Sequence, residues 1–122
     1  MPLRADPSTL LVHQVAVEIA AETVILVKAF RGAGAFERAD QMAAAALSVA
    51  SNIAEACGRC SVGEFRQFLG FARGSAQELA TQLRVVRLLD TVDGAKVNRL
   101  HGRTILVLKM LTRLSAHPPP ID

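Results

Sequence analysis

Residues 61–89 read SVGEFRQFLGFARGSAQELATQLRVVRLL, and this stretch decides the fold. Apolar side chains recur along it at alternating intervals of four and three residues, a spacing that places them on one face of a helix. They are Phe65, Leu69, Ala72, Ala76, Leu79, Leu83 and Val86. The pattern continues over three heptads, so it predicts a long helix whose apolar face packs against other helices.

Polar residues mark both ends of this helix. The sequence SVGE at 61–64 has the form of a capping box, in which the serine hydroxyl and the glutamate carboxylate each reach the other's backbone amide. The sequence TVDG at 91–94 turns the chain and offers Asp93 as the cap of a further helix. A helix is therefore predicted over 62–89.

The same apolar periodicity predicts three more helices. They span about 9–31, 38–57 and 95–114, and a tail follows over 115–122. Ser8 or Thr9 is the candidate N-cap of the first helix, and Gly32 and Gly34 stop it. No strand pattern competes, so the fold class is all-α. Because helices joined by short loops pack antiparallel, we expect an up-down-up-down, left-handed four-helix bundle.

The expected core consists of the large apolar side chains on the inward face of each helix. They are Val12, Ile19, Leu26, Phe65, Leu69, Leu79, Leu83, Val107, Leu111 and Leu114. Further apolar residues remain on the first and fourth helices, namely Leu11, Val17, Val24, Val27, Ile105, Leu108 and Met110. Some of these side chains widen the inward stripe, but together they are too much apolar surface to leave in water. They predict a stable homo-oligomer.

Length and composition limit the classes of function. A chain of 122 residues that is 51% hydrophobic, with neither Trp nor Tyr, fits a single domain over 1–122. This excludes a multidomain enzyme and a disulfide scaffold. The start of the chain lacks the apolar core of a signal peptide, and no apolar run is long enough to cross a bilayer. We therefore expect a cytoplasmic protein without a membrane partner.

No catalytic, cofactor or metal site is predicted. Cys57 and Cys60 form a lone CxxC, whereas structural zinc needs four ligands and a redox pair needs a thioredoxin-type context. His13, His101 and His117 are far apart in sequence. A di-iron bundle uses Glu-x-x-His pairs, and no Glu here has His three residues later. The chain is expected to be a non-enzyme without a cofactor.

Three segments resemble one known family. They are Ser51-Asn52-Ile53-Ala54-Glu55, Arg73-Gly74-Ser75 and Glu78-Leu79. At this spacing they are similar to the four-helix-bundle proteins encoded in bacterial rRNA intervening sequences, a fold shared by the accessory variability protein of diversity-generating retroelements. The resemblance spans roughly residues 10–115 and implies a homo-oligomer, typically a homopentamer, without enzymatic activity. The resemblance to the retroelement proteins implies nucleic acid and a reverse transcriptase as partners.

Four positions depart from the family pattern. Where many relatives carry a pair of arginines, this chain has Ala43 and Ala44, which weakens the expectation of nucleic-acid binding. The usual Pro is Ala50 and the usual Gly is Ala56. Alanine at these two positions favours a straight and firm second helix, and so strengthens the expectation of the fold.

The residues of the family motif are interpreted as packing contacts between the second and third helices. In a hairpin that turns near 59–60, residues 74–76 lie opposite alanines 43–46, and small side chains on both sides let the backbones approach closely. Glu55 can meet Arg59 or cap the next helix. Ser51, Asn52, Glu55, Gly74, Ser75 and Glu78 are therefore interpreted as structural.

Basic residues carry the one functional prediction that comes from the residues themselves. The net charge is +3, and 11 of the 14 cations are arginine, whose planar fork suits phosphate. Arg59, Arg66, Arg73 and Arg84 are 7, 7 and 11 residues apart, so they return to nearly the same side of a helix. Residues 94–117 add a local charge of +5. The predicted contacts to RNA or DNA phosphates are Arg66, Arg73, Arg84, Arg99 and Arg103.

Two alternatives stay open. The arginines can form a solvated face with ion pairs to Glu64 and Glu78, which would leave a structural assembly or protein-interaction module with no nucleic-acid ligand. Binding of a small molecule in a bundle or oligomer cavity has only the abundant alanine and leucine in its favour. Salt dependence separates a phosphate binder from an apolar protein contact.

Overall fold

The chain forms four helices in the computed structural model, which describes residues 10–89 and 92–118. They are α1 (Leu11–Leu26), continued by a 3-10 turn over Val27–Ala29, then α2 (Ala35–Cys57), α3 (Val62–Leu89) and α4 (Gly94–Ala116). Each helix packs against the next, and α1 also packs against α4. This closed arrangement confirms the predicted all-α four-helix bundle.

Side-chain caps form at two of the predicted helix ends. The Ser61 hydroxyl accepts a hydrogen bond from the Glu64 amide at 3.1 Å, but the Glu64 carboxylate accepts from that hydroxyl at 3.2 Å instead of from the Ser61 amide. Only half of the predicted capping box therefore forms. Asp93 caps α4, because its Oδ1 accepts from the Ala95 amide at 2.9 Å. The predicted cap at 8–9 lies outside the described residues.

The connection between α1 and α2 differs from the prediction at both ends. The α-helix ends at Leu26 instead of near residue 31, and Phe30 adopts extended backbone that turns its ring into the core. Gly32 and Gly34 follow with φ of 89° and 71°. These left-handed conformations favour glycine, and they let α2 begin at Ala35, earlier than the predicted residue 38.

Alanine substitutions at two glycines are expected to change stability in opposite directions. A Cβ at Gly32 or at Gly70 in α3 would meet nothing within 4 Å, so steric clash decides neither case. Gly32→Ala forces a left-handed φ on alanine and should lower the free energy of unfolding by about 1–2 kcal/mol. Gly70→Ala should raise it by about 0.5–1 kcal/mol, because alanine favours a helix interior. Urea denaturation measures both, and equal signs would contradict the assigned backbone.

The core lies between the inward faces of all four helices, and nine of the ten predicted core residues are buried. Leu114 is the exception. It is half-buried and packs against the edge of the core. Thr23 and Thr104 are also buried, and their hydroxyls donate to the carbonyls of Ile19 at 2.7 Å and Leu100 at 2.8 Å. These bonds satisfy both buried hydroxyls.

Small polar side chains join α2 to α3. The hydroxyls of Ser48 and Ser75 lie 2.8 Å apart, and Asn52 Nδ2 donates to the Ser48 carbonyl at 2.9 Å and to its hydroxyl at 3.0 Å. The prediction of close approach at Gly74 is wrong, because this residue is exposed and a Cβ there would meet nothing within 4 Å. The hairpin places Ser75 opposite Ser48 and not opposite Ala44. Ser75 therefore faces α2, and Gly74 does not.

The remaining motif residues lie on the surface. Glu55 forms an ion pair with Arg59, which was one of its two predicted roles. Ser51 and Glu78 are exposed, and neither side chain has a hydrogen bond or ion pair within residues 10–89 and 92–118. Nothing in the structure explains a packing role for these two residues.

Candidate nucleic-acid interface

The five arginines predicted to bind phosphate lie on two different sides of the bundle. Arg66 is on the edge of α3 that faces α4, where its Nε donates to the Ser115 carbonyl at 2.8 Å. Helical periodicity places Arg73 and Arg84 on the same edge. Arg103 instead reaches α1 from the opposite edge of α4, and Arg99 precedes it by one turn. The prediction of one continuous line across α3 and α4 is therefore wrong.

On the α1 side of α4, Arg103 is neutralised within the chain and Arg99 makes only a longer ion pair. Arg103 bridges Glu18 and Glu22, with its Nη1 2.5 Å from Glu22 Oε1, and its side chain is only 22% exposed. Arg99 Nη2 lies 3.7 Å from the same Glu22 oxygen. Two carboxylates one turn apart on α1 thus meet two guanidinium groups one turn apart on α4. This spacing is visible in the sequence, but only the packing of α1 against α4 pairs the two sets.

The cations on the α3 side of α4 and along α3 have no carboxylate partner among the described residues. We define the α3–α4 cationic face as the basic residues on the solvent side of this hairpin, namely Arg66, Arg73, Arg84, Arg87 and Lys109. None of them forms an ion pair with a carboxylate in the part of the chain that the structure describes. Arg87 and Lys109 were not among the predicted phosphate contacts, although Lys109 was counted in the charge of residues 94–117.

Glu64 and Glu78 do not neutralise this face. Periodicity places both carboxylates on the α2 side of α3, and neither forms an ion pair in the described ranges. The predicted alternative of a salt-bridged surface is therefore wrong for Arg66, Arg73 and Arg84. A salt-bridged surface does form on the α1 side of α4, where the carboxylates are Glu18 and Glu22.

Within the α3–α4 cationic face, Arg73 is the residue whose hydrogen-bonding groups are least satisfied. Its side chain is half-buried, and its Nε is shielded from solvent without a hydrogen-bond partner in the described chain. Arg87 Nε donates to Asn98 Oδ1 at 3.2 Å, a neutral acceptor. Because a partly buried cation without a counter-ion is costly, the face favours an external anion. Guanidinium groups bind phosphate oxygens through two parallel hydrogen bonds.

Arg59 does not belong to this face. It lies in the connection between α2 and α3 and not on α3, which corrects the predicted line of four arginines. Its guanidinium pairs with Glu55 and covers the Phe68 ring at 4.3 Å from the centroid. Both contacts hold the α2–α3 turn.

Several exposed apolar side chains lie on α1 and α2. We define the α1–α2 apolar face as Val17, Val24, Phe36 and Leu47, of which Phe36 is 86% and Leu47 52% exposed. Val17 and Val24 were predicted to remain outside the core, as was Leu11, which is also exposed. The other residues predicted to remain outside the core are half-buried. They are Val27, Ile105, Leu108 and Met110, and all of them except Ile105 pack against the core.

The structure also bears on metal binding, on the two cysteines and on membrane insertion. Within residues 10–89 and 92–118, no three His, Cys, Asp or Glu side chains come together to hold a metal ion. Cys57 is buried and Cys60 is exposed, and both are reduced. No helix among the described residues has the length and hydropathy needed to span a bilayer.

Comparison with known proteins finds one matching family and a solved structure with the same fold. Residues 8–113 match the family model described as 23S rRNA-intervening sequence protein. A crystal structure of a protein of unknown function from the S23 ribosomal protein family of Bacteroides thetaiotaomicron VPI-5482 superposes with a TM-score of 0.78 at 19% identity, covering 86% of this chain and 98% of that chain. At this identity the likeness shows the fold alone. No curated protein matches significantly, and these comparisons give no support to the retroelement link.

Proposed function

Since the chain belongs to the 23S rRNA-intervening sequence protein family, we propose that it is a non-enzymatic, homo-oligomeric bundle that binds RNA or DNA. The observation that carries this proposal is the α3–α4 cationic face, whose cations lack carboxylate partners among the described residues. A fold by itself does not imply a function, so the argument depends on this surface.

The spacing of the arginines suits a nucleic-acid backbone. At 1.5 Å of rise per residue, Arg66 and Arg84 are separated by about 27 Å along α3, which corresponds to roughly eight base-pair steps. Side chains along one helix edge can follow phosphates without entering a groove. Because Trp and Tyr are absent, stacking on single-stranded bases has little support. We therefore propose duplex or structured nucleic acid as the ligand, bound with little sequence selectivity.

A salt series tests the proposal on the intact protein. Fluorescence anisotropy with RNA and DNA duplexes of about 20 base pairs, from about 50 to 300 mM salt, should show log affinity falling linearly with log salt. Three phosphate contacts on B-form DNA correspond to a slope of about −2.7. The slope should not change when the duplex sequence is scrambled. Absence of micromolar binding at the lowest salt, or an affinity that salt does not change, would contradict nucleic-acid binding.

Self-association is the second part of the proposal. The α1–α2 apolar face exposes more large apolar side chains than a monomer normally leaves in contact with water, and a second copy of the chain would cover them. Light scattering at micromolar concentration should return a multiple of the 13.0 kDa chain mass, with five copies expected from the family resemblance. A particle of 13.0 kDa would contradict self-association.

An assembly or protein-interaction module with no nucleic-acid ligand is the alternative, and the α1–α2 apolar face favours it. The salt series separates the two, because an apolar protein contact lacks the steep salt dependence of phosphate binding. A reverse transcriptase as partner stays a prediction from the retroelement resemblance. Cytoplasmic location is part of the proposal and is tested by cell fractionation.

A further inference from the structure

A cleft of about 350 Å³ opens at the end of the bundle where α1 stops and α4 begins. Leu26 and Leu100 line it with buried side chains, and Ile25 contributes a side chain that is 65% exposed. The volume lies within the range of small-molecule sites. The apolar lining, left open to solvent, suits the hydrocarbon part of a ligand.

The charged side chains of the cleft are two carboxylates and two cations. Glu22 is already held by Arg103 at 2.5 Å, and Asp93 accepts from the first turn of α4. Lys96 has no hydrogen bond or ion pair in the part of the chain that the structure describes. Arg99 lies 3.7 Å from Glu22, beyond hydrogen-bond distance, and its side chain is 72% exposed. Glu22 and Asp93 both have other partners, whereas Lys96 has none in the described residues and Arg99 has only the long ion pair with Glu22, so both cations can still donate hydrogen bonds to a ligand.

We propose that this cleft binds a small amphipathic carboxylate. The carboxylate group pairs with Lys96 and Arg99, and the hydrocarbon chain lies over Ile25, Leu26 and Leu100. The positive end of the α4 dipole adds to the attraction. This site shares no residue with the α3–α4 cationic face, so its failure would leave the proposal of nucleic-acid binding unchanged.

Titration with octanoate, followed by two-dimensional NMR of the full-length protein, tests the site. Saturable shifts are expected at the methyl groups of Ile25, Leu26 and Leu100, with a dissociation constant in the millimolar range or below. Butanoate should bind at least about tenfold more weakly, because it covers less apolar surface. Equal affinity for octanoate and butanoate, or shifts confined to other parts of the bundle, would overturn the proposal.

Charge-matched variants separate the site from general attraction to a basic protein. The double change Lys96→Gln and Arg99→Gln should weaken octanoate binding about tenfold or more, because hydrogen bonds to charged groups are lost. The control is Lys109→Gln with Arg113→Gln, which removes the same charge from exposed positions further along α4. The control should bind octanoate like the unmodified protein. Equal weakening in both variants would overturn the assignment of the carboxylate group to Lys96 and Arg99.

Discussion

Replacing Leu79 with alanine is expected to lower the free energy of unfolding by about 2–5 kcal/mol, the range for large-to-small changes in a packed core. Leu79 is 0% exposed and lies in the middle of α3, which packs against both α2 and α4. The substitution removes apolar contacts with these neighbours and leaves a cavity that helices fixed on several sides cannot collapse to fill.

Leu106→Ala is the control for this experiment. Leu106 lies on α4 and is about half exposed, so the same chemical change should alter stability by no more than about 0.5 kcal/mol. Urea denaturation followed by circular dichroism gives both values. Protein concentrations must be equal, because self-association adds to apparent stability. A Leu79→Ala variant as stable as the unmodified protein would show that the apolar stripe of α3 is not the core.

Replacing Arg66, Arg73 and Arg84 with glutamine is expected to abolish most binding to duplex nucleic acid. Glutamine keeps much of the length and hydrogen-bonding capacity but removes the charge. For DNA, loss of three phosphate contacts should reduce the magnitude of the salt slope by about 2.7, and at about 50 mM salt the affinity should fall at least about 100-fold. The fold should persist, because Arg66 and Arg84 are exposed and Arg73 is only half-buried.

A second triple variant controls for net charge. Lys28→Gln, Arg31→Gln and Arg99→Gln remove three charges from exposed positions outside the α3–α4 cationic face. This variant should keep nearly the affinity and salt slope of the unmodified protein. If both triple variants bind alike, the protein attracts nucleic acid only through its overall charge, or the arginines of α3 are a solvated surface. In either case the assembly alternative would stand.

The sequence by itself determined the fold class and most of the core. Apolar residues that recur every three or four positions have one stable arrangement, with one face of each helix turned inward. Phe65, Leu79 and Leu111 were therefore predicted as core and are fully buried. Local hydrogen bonds were also predictable where donor and acceptor are near in sequence, as at Asp93, whose side chain caps α4.

Only the tertiary structure decided which charges remain available. Arg66 and Arg103 look alike in sequence, because each lies on the polar side of a helix and no carboxylate lies three or four residues before or after it. In the bundle, Arg103 meets Glu18 and Glu22, more than eighty residues away along the chain. Arg66 instead donates to a backbone carbonyl and meets no carboxylate within residues 10–89 and 92–118. Electrostatic neutralisation depends on distance in space. Helical periodicity specifies the side of a helix on which a charge lies, but the packing of α1 against α4 determines which charge it meets.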